Sequence, residues 1–360
     1  MKIAIDCRMS GKSGIGTFLD GVLPYMLQSK HTFLLIAAEN FSLSQESERL
    51  QIVRCTIRPF SMHDMLTFPH SIAKEINRCD VYFTPYCNIP SGIRIPIATT
   101  IHDIVFLDIP ELAGKLGTLA RYICYKYAVI RSNMIFTVSH FSAERIRAKL
   151  GCKKPLHIVH NGIPAYLTEK PAVPMQKQDK ILFIGNIKKH KGLQTLLKAF
   201  TYFRKTTAAQ LVIVGNAENF RTADDEMTKL LSNAETKDIV FTGYISDADL
   251  HLLLRQARML VQPSRYEGFG IPPLEALVCG TPVVLSDIPV FKEIYGSLPV
   301  HFFKCDDEAD LTEKIKEAWP TADTFSPVDV PYSYERTAQQ ILKILSEQHI
   351  TDGSSVDPTL

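Results

Sequence analysis

No stretch of this 360-residue chain approaches the roughly 18 consecutive apolar residues that a membrane span needs; Phe33 to Ala38 is typical of its longest run. A secretory leader is not expected either, because the opening MKIAIDCR carries one lysine and an apolar stretch broken by Asp6, and so reads as a first strand. Excess charge of one sign is also missing. Forty Lys+Arg against 38 Asp+Glu leave a net charge of +2, which excludes the strongly basic surface of a nucleic-acid coat. None of the eight cysteines (Cys7, Cys55, Cys79, Cys87, Cys124, Cys152, Cys279 and Cys305) forms a C-x-x-C pair, and several sit inside apolar segments. Reduced core thiols in a cytosolic protein are the expectation. No internal repeat is visible. With 46% hydrophobic and 22% charged residues, global disorder, a collagen-like chain and a coiled coil are excluded.

What is present is a long alternation of short apolar strands with amphipathic helical patterns. At about 150 residues per domain the length gives two domains. Strands are predicted at 2–6, 32–38, 80–84, 96–101, 134–138 and 156–159, then at 180–184, 210–214, 238–241, 258–262, 282–285 and 299–303. Between them, Leu193, Leu196, Leu197 and Phe200 fall at i, i+3, i+4, i+7, and Leu250, Leu253, Leu254 and Ala257 repeat that spacing. Short buried strands with helices between them imply parallel sheets in βαβ units. The segment PAYLTEKPAVPMQKQD, 164–179, has three prolines and no periodicity, and marks the domain break. The predicted organisation is a first domain over 1–167, a linker over 168–179, a second domain over 180–328, a helix over 329–349 and a flexible tail over 350–360. Two facing sheets of this type enclose a cleft beyond the carboxyl ends of their strands, where ligands bind.

Four segments carry candidate chemistry. The loop Ser10-Gly11-Lys12-Ser13-Gly14-Ile15-Gly16 follows the first strand. It is not a Walker A loop, since the required first glycine falls on Asp6, and not a dinucleotide fingerprint, since the third glycine falls on Leu19. It remains either an anion-binding helix start built on Gly14 and Gly16 or a plain strand-to-helix turn. His102, in Ile101-His102-Asp103, stands at the end of a strand, with Asp103 placed to orient its ring. The run Ile184-Gly185-Asn186-Ile187-Lys188-Lys189-His190-Lys191-Gly192 crowds cations at a helix entry, where the macrodipole disfavours them, and so points to an anionic partner or a solvated turn. Glu267-Gly268-Phe269-Gly270-Ile271-Pro272-Pro273-Leu274-Glu275 is the most informative segment. Its glycines allow close backbone approach, and Pro272 suits a first helical turn.

The two acids separated by seven residues, within EGFGIPPLEALVCGTPVV, resemble the E-x7-E signature of retaining glycosyltransferases of family 4. The resemblance runs along nearly the whole chain, in SGIGTF, TIHDIVFLDIPE, TVSHFSAERI, IVHNGI, IGNIKKHKGL and SYERTAQQIL. It implies an α/β protein of the GT-B fold: two Rossmann-like domains facing a deep cleft, with a C-terminal helix crossing back to the first. Carried across by position, Glu267 contacts the donor sugar near the reacting carbon, and His102 the sugar or reacting region. Glu275 holds the ribose hydroxyls. Lys191, with Lys188, neutralises the diphosphate. Gly268, Phe269, Gly270 and Ile271 present backbone to the donor, Ile245 packs the base, and Gly14 and Gly16 form the first-domain glycine loop. Two departures stand out. Asn186 occupies a position where many members carry arginine, and Asp287-Ile288-Pro289-Val290-Phe291 replaces the stretch usual in mannose-using members.

The implied reaction moves a hexose with retention from a GDP- or UDP-sugar, GDP-mannose among the candidates, to a saccharide or lipid-linked saccharide in cell-surface polysaccharide synthesis such as lipopolysaccharide. The alternatives are a nucleotide-sugar epimerase of the same fold and a non-catalytic nucleotide-sugar-binding subunit. No cofactor and no metal are expected. The single Asp-x-Asp, Asp247-Ala248-Asp249, follows Ser246 and reads as a helix cap. No nucleic-acid partner is expected. The predicted location is cytoplasmic. Lys115, Arg121, Lys126 and Arg131 among Leu116, Leu119, Ile123 and Ala128 leave two readings, a peripheral membrane contact at the inner face or a core helix with solvated cations.

Overall fold

The computed structural model describes residues 1–43, 47–164, 167, 175–215 and 238–353. Of the predicted linker, residues 168–174 lie outside the described residues, and so do 354–360 of the predicted tail. The chain divides into two compact units, Met1–Gly162 together with Tyr332–Leu360, and Ile163–Pro331.

The first unit is built on seven strands: β1 (Lys2–Asp6), β2 (Thr32–Ala37), β3 (Leu50–Arg54), β4 (Val81–Thr84), β5 (Ile97–Thr100), β6 (Met134–Thr137) and β7 (Leu156–Ile158). They pair in parallel in the order β3-β2-β1-β4-β5-β6-β7. Its helices are α1 (Ser13–Leu27), α2 (Met62–Leu66), α3 (His70–Ile76), α4 (Val105–Asp108), α5 (Gly114–Arg131) and α6 (His140–Leu150). The central strands are apolar on both sides because helices cover both faces. Ile3, Ile5 and Leu35 pack with Phe18, Leu19 and Val22 of α1 on one face, while Ala4, Leu34 and Ile36 pack with Ile76 and Ile146 on the other. Strand β3 was not predicted. It is the sheet edge, and only one side of it carries neighbours, so its sequence LQIVR is polar enough to read as loop.

The second unit contains β8 (Gln178–Ile184), β9 (Gln210–Val214), β10 (Ile239–Gly243), β11 (Ala257–Gln262), β12 (Val283–Ser286) and β13 (His301–Phe303). These six are also parallel, in the order β10-β9-β8-β11-β12-β13. Around them lie α7 (Leu193–Phe203), α8 (Asp247–Gln256), α9 (Pro272–Val278), α10 (Pro289–Tyr295) and α11 (Glu308–Ala318). The predicted stripe of Leu193, Leu196, Leu197 and Phe200 on α7 is buried against Leu311 and Ile315 of α11. The second predicted stripe is shorter than expected, because Ala257 opens β11 instead of continuing α8. Strand β8 begins at Gln178, so the last two residues of the predicted linker are sheet.

The last helix, α12 (Tyr334–Gly353), returns to the first unit and packs on α1. Tyr334, Ala338, Ile341 and Leu345 are buried there, and Thr337 Oγ1 donates to the His160 carbonyl at 2.6 Å. Gly21 makes this seat possible: a Cβ at that position would lie 2.4 Å from the Tyr334 ring. In both sheets the strand order reverses at one place, between β1 and β4 and between β8 and β11. Such switch points are where an open α/β sheet leaves a crevice beyond its strand ends.

Candidate active site

In the second unit the switch point is lined by the loops that follow β8 and β11. They are locked together by backbone. Arg265 N donates to the His190 carbonyl at 2.8 Å. Gly192 adopts φ +68°, and a Cβ there would stand 1.9 Å from the Pro263 carbonyl oxygen. Lys189–Lys191 form a short 3-10 turn ahead of α7. The predicted cation cluster is therefore divided. Asn186, Lys188 and Lys189 are exposed, whereas His190 is buried with no hydrogen bond to Nδ1 among the described residues. Burial, and secondly the charge of Lys191, pushes the His190 ring down to about 4, so it is neutral at pH 7.

Lys191 Nζ donates to both carboxylate oxygens of Glu267, each at 2.7 Å. Ser264 Oγ donates to Glu267 Oε1 at 2.7 Å, and Gln262 Nε2 donates to Ser264 Oγ at 3.1 Å. Ser286 Oγ in turn donates to the Ser264 carbonyl. Glu267 is buried at 9% exposure and its carboxylate is held by Lys191 and Ser264. An ammonium group has three protons, and two of those on Lys191 point at Glu267; the third is left for another acceptor.

Beyond Glu267, Gly268 and Phe269 are buried and Gly270 adopts φ +85°. A Cβ on Gly270 would lie 2.6 Å from the Phe291 ring, and its carbonyl accepts from Tyr295 Oη. Ile271 is half-buried and Pro272 starts α9. Glu275 lies in the first turn of that helix. Among the described residues nothing hydrogen-bonds its carboxyl group. Burial, then the charge of Asp247, pushes it up to about 7. Asp247 and Asp249 sit in the first turn of α8. Ser246 caps that helix by accepting from Asp249 N at 3.1 Å while donating to Asp249 Oδ2 at 2.6 Å. Ile245, half-buried, immediately precedes the cap. Among the described residues no group of three or more His, Cys, Asp or Glu side chains could hold a metal ion.

In the first unit, Gly14 lies in the first turn of α1 with open space where a Cβ would stand, while a Cβ on Gly16 would meet the Met9 carbonyl at 2.5 Å. The loop before them is folded back by Asp20, which accepts from Gly11 N at 2.8 Å and Ser10 Oγ at 2.6 Å. His102 follows β5. Its Nε2 lies 2.9 Å from the Pro85 carbonyl, and its ring meets Phe18 edge-on at 5.0 Å. A carbonyl only accepts, so Nε2 carries the proton and Nδ1 is left as an acceptor. Burial pushes this ring down to about 4 as well. Asp103 caps the next turn by accepting from Val105 N at 3.0 Å.

One cluster was not singled out from the sequence. At the β1/β4 switch point Arg8 donates to Asp6 through Nε at 2.9 Å and Nη2 at 2.6 Å, and to Asp64 through Nη1 at 2.8 Å. Tyr82 and Tyr86 donate to Asp6 Oδ2 at 2.7 and 2.6 Å, and Asn88 donates to Asp64. Burial works to raise the Asp6 carboxyl, but Arg8 and the tyrosine hydroxyls outweigh it and hold it below its ordinary value. Asp64, where burial wins over Arg8, sits at about 6. The available signal was a carboxylate ending an apolar strand with an arginine two residues on.

Two doubly wound parallel sheets with the returning helix define the GT-B fold. The chain belongs to the family 4 and group 1 glycosyltransferases: residues 12–165 match Glycosyltransferase Family 4, and residues 168–319 match Glycosyl transferases group 1. It is 30% identical over 238 residues to O-antigen chain mannosyltransferase B of Escherichia coli, covering 60% of this chain and 59% of that one. It is 27% identical over 257 residues to O-antigen chain mannosyltransferase RfbU of Salmonella typhimurium, covering 69% of each. Among solved structures, sucrose-phosphate synthase from Thermosynechococcus elongatus superposes with a TM-score of 0.73 at 14% identity, over 98% of this chain and all of that one. Anabaena Alr3699/HepE in complex with UDP and glucose superposes with a TM-score of 0.69 at 14% identity, over 96% of this chain and 100% of that one.

Proposed function

We propose that the protein moves a hexose from a nucleotide-diphosphate sugar to a saccharide or lipid-linked saccharide, with retention of configuration and without a metal, in the cytoplasmic synthesis of a cell-surface polysaccharide. The observation that carries this reading is the Lys191–Glu267 pair at the β8/β11 switch point, with the unpartnered Glu275 carboxyl on the helix that follows. Breaking the bond between a sugar and a diphosphate builds negative charge on the departing phosphate and positive charge on the ring. Lys191, through its third proton, and Lys188 stabilise the first; the fixed carboxylate of Glu267 stabilises the second. Glu275 accepts from the ribose hydroxyls, Ile245 packs the base, and the backbone of Gly268–Ile271 with Asn186 completes the donor contacts. Gly14, Gly16 and the neutral His102 are assigned to the sugar and the reacting region. The relatives named as mannosyltransferases favour mannose as the hexose, and GDP-mannose is the donor to test first.

With Lys191 and Lys188 on the leaving phosphate and Glu267 beside the ring, no side chain is assigned as a base on the opposite face. The acceptor therefore approaches the face that the phosphate leaves, and an α donor gives an α product. Nucleoside diphosphate should be released from the donor only when acceptor is present, and proton NMR of the product should show the α coupling. Glu267→Ala should lower turnover by about 10²–10³-fold with a smaller loss of donor affinity. A β product, or a fully active Glu267→Ala protein, would overturn the assignment.

A further inference from the structure

Helix α5 is turned inside out for a surface helix. Only Tyr125, Ala128 and Val129 of its 18 residues are buried. Yet the outward side is apolar: Leu116 is 85% exposed, Leu119 56%, Ile123 55% and Ile130 63%. At 3.6 residues per turn these four fall within an arc of about 60°. Lys115, Tyr122 and Lys126 border the arc on one edge, and Ala120, Tyr127 and Arg131 on the other. Five of the eleven exposed large hydrophobic residues of the described chain are on this one helix, so the patch is not the usual scatter of single apolar side chains. Leu66, 64% exposed, extends it: its neighbour Met65 lies with its sulfur 3.6 Å from the sulfur of Cys124.

The charge on the helix has one sign. Lys115, Arg121, Lys126 and Arg131 are its only ionisable residues other than tyrosine and cysteine, and it has no Asp or Glu. Lys115 is exposed, Arg121 lies over the Phe106 ring at 4.0 Å, and Arg131 donates to the Ile93 carbonyl at 2.8 Å. By the same helical angles Lys115, Lys126 and Arg131 flank the apolar stripe, while Arg121 lies on the side of the buried Tyr125, Ala128 and Val129. No helix among the described residues is long and apolar enough to cross a membrane, so this one is suited to lie on a surface.

We propose that this face of α5 docks the protein on an anionic lipid bilayer, with Leu116, Leu119, Ile123 and Ile130 inserted among the acyl chains and the flanking cations on the headgroups. Charge decides the occupant. A second copy of the chain would set the three flanking cations against the same three with no acid on either helix, whereas an anionic headgroup layer complements them all. The face belongs to the first unit alone, and its lipid binding is read without substrate, separately from the reaction assigned above.

The test is co-sedimentation of the full chain with phosphatidylcholine vesicles, with and without phosphatidylglycerol. Binding should require phosphatidylglycerol and weaken with added salt. Leu116→Ser/Ile123→Ser should reduce partitioning at least about tenfold and Lys115→Glu about fivefold or more, with melting temperature unchanged. Absence of binding, equal binding to neutral vesicles, or variants that bind as well as the parent would overturn the proposal. So would a stable dimer in light scattering that Leu116→Ser/Ile123→Ser dissociates.

Discussion

Glu275 offers a test of the donor site that needs no acceptor. Its carboxyl is raised from an ordinary value of 4.5 to about 7 by desolvation, then by the charge of Asp247; the residue is half-buried, with no hydrogen-bond donor among the described residues. Between pH 4.5 and 7 the folded chain therefore holds a proton that the unfolded chain has released. Stability is unaffected below that window, falls as the pH rises through it, and stays lowered above it. A rise of that size corresponds to about 3 kcal/mol at pH 8. Glu275→Gln, which cannot ionise, should melt several degrees higher than the parent at pH 8 and no higher at pH 4.5. The same group makes nucleotide binding depend on pH in the opposite sense. Ribose hydroxyls donating to Glu275 favour the carboxylate, so binding expels the proton wherever the free protein holds it. Affinity for nucleoside diphosphate should be about tenfold weaker at pH 6 than at pH 8, with proton release seen by calorimetry in buffers of different ionisation enthalpy. A Glu275→Gln protein that keeps the parent's pH dependence, or a parent whose affinity is flat from pH 6 to 8, would remove Glu275 from the nucleotide site.

Lys191→Ala should weaken nucleoside-diphosphate binding by about tenfold or more, the size of one charge-assisted contact, as read by calorimetry. It should also lower the melting temperature, because Glu267 is left buried without its cation; adding Glu267→Gln should restore the melting temperature and not the turnover. Activity should survive EDTA, and a loss reversed by magnesium or manganese would refute the assignment of the diphosphate charge to lysines.

Much of this architecture is legible from spacing because its strands are covered on both faces. Twelve of the thirteen strands are predicted from short, mostly apolar runs, and the period of Leu193, Leu196, Leu197 and Phe200 already names the buried side of α7. Strand β3 escaped because an edge strand needs fewer apolar residues, and Ala257 misled because a helix stripe and a following strand share one apolar run. The E-x7-E acids were visible as letters, but their difference was not. Glu267 is matched by a lysine 76 residues away, and Glu275 by no hydrogen-bond partner among the described residues. Sequence spacing cannot distinguish them, since the pairing depends on β8 and β11 being neighbours. The same holds for Arg8, whose partner Asp64 is 56 residues distant.

The two switch points differ in how far their charged side chains satisfy one another. Topology opens a crevice beyond β1 and β4 as well as beyond β8 and β11, and at the first the buried charges are paired among themselves. Arg8 is 1% exposed and spends its guanidinium on Asp6, Asp64, the Ile57 carbonyl and Tyr86. A cation so committed has nothing to offer a phosphate, and extracting it would leave two carboxylates buried without their counter-charge. At β8/β11 the commitments are incomplete. Lys191 keeps a proton beyond the two given to Glu267, and the half-buried Glu275 carboxyl has no hydrogen-bond partner among the described residues. Leaving a half-buried carboxyl without a donor costs free energy, and in the proposed reading the nucleotide's ribose hydroxyls would supply one. The Arg8 cluster is thus self-satisfied and holds β1, α2 and the segment after β4 together, whereas at β8/β11 the proposed donor is what would complete the hydrogen bonds of Lys191 and Glu275.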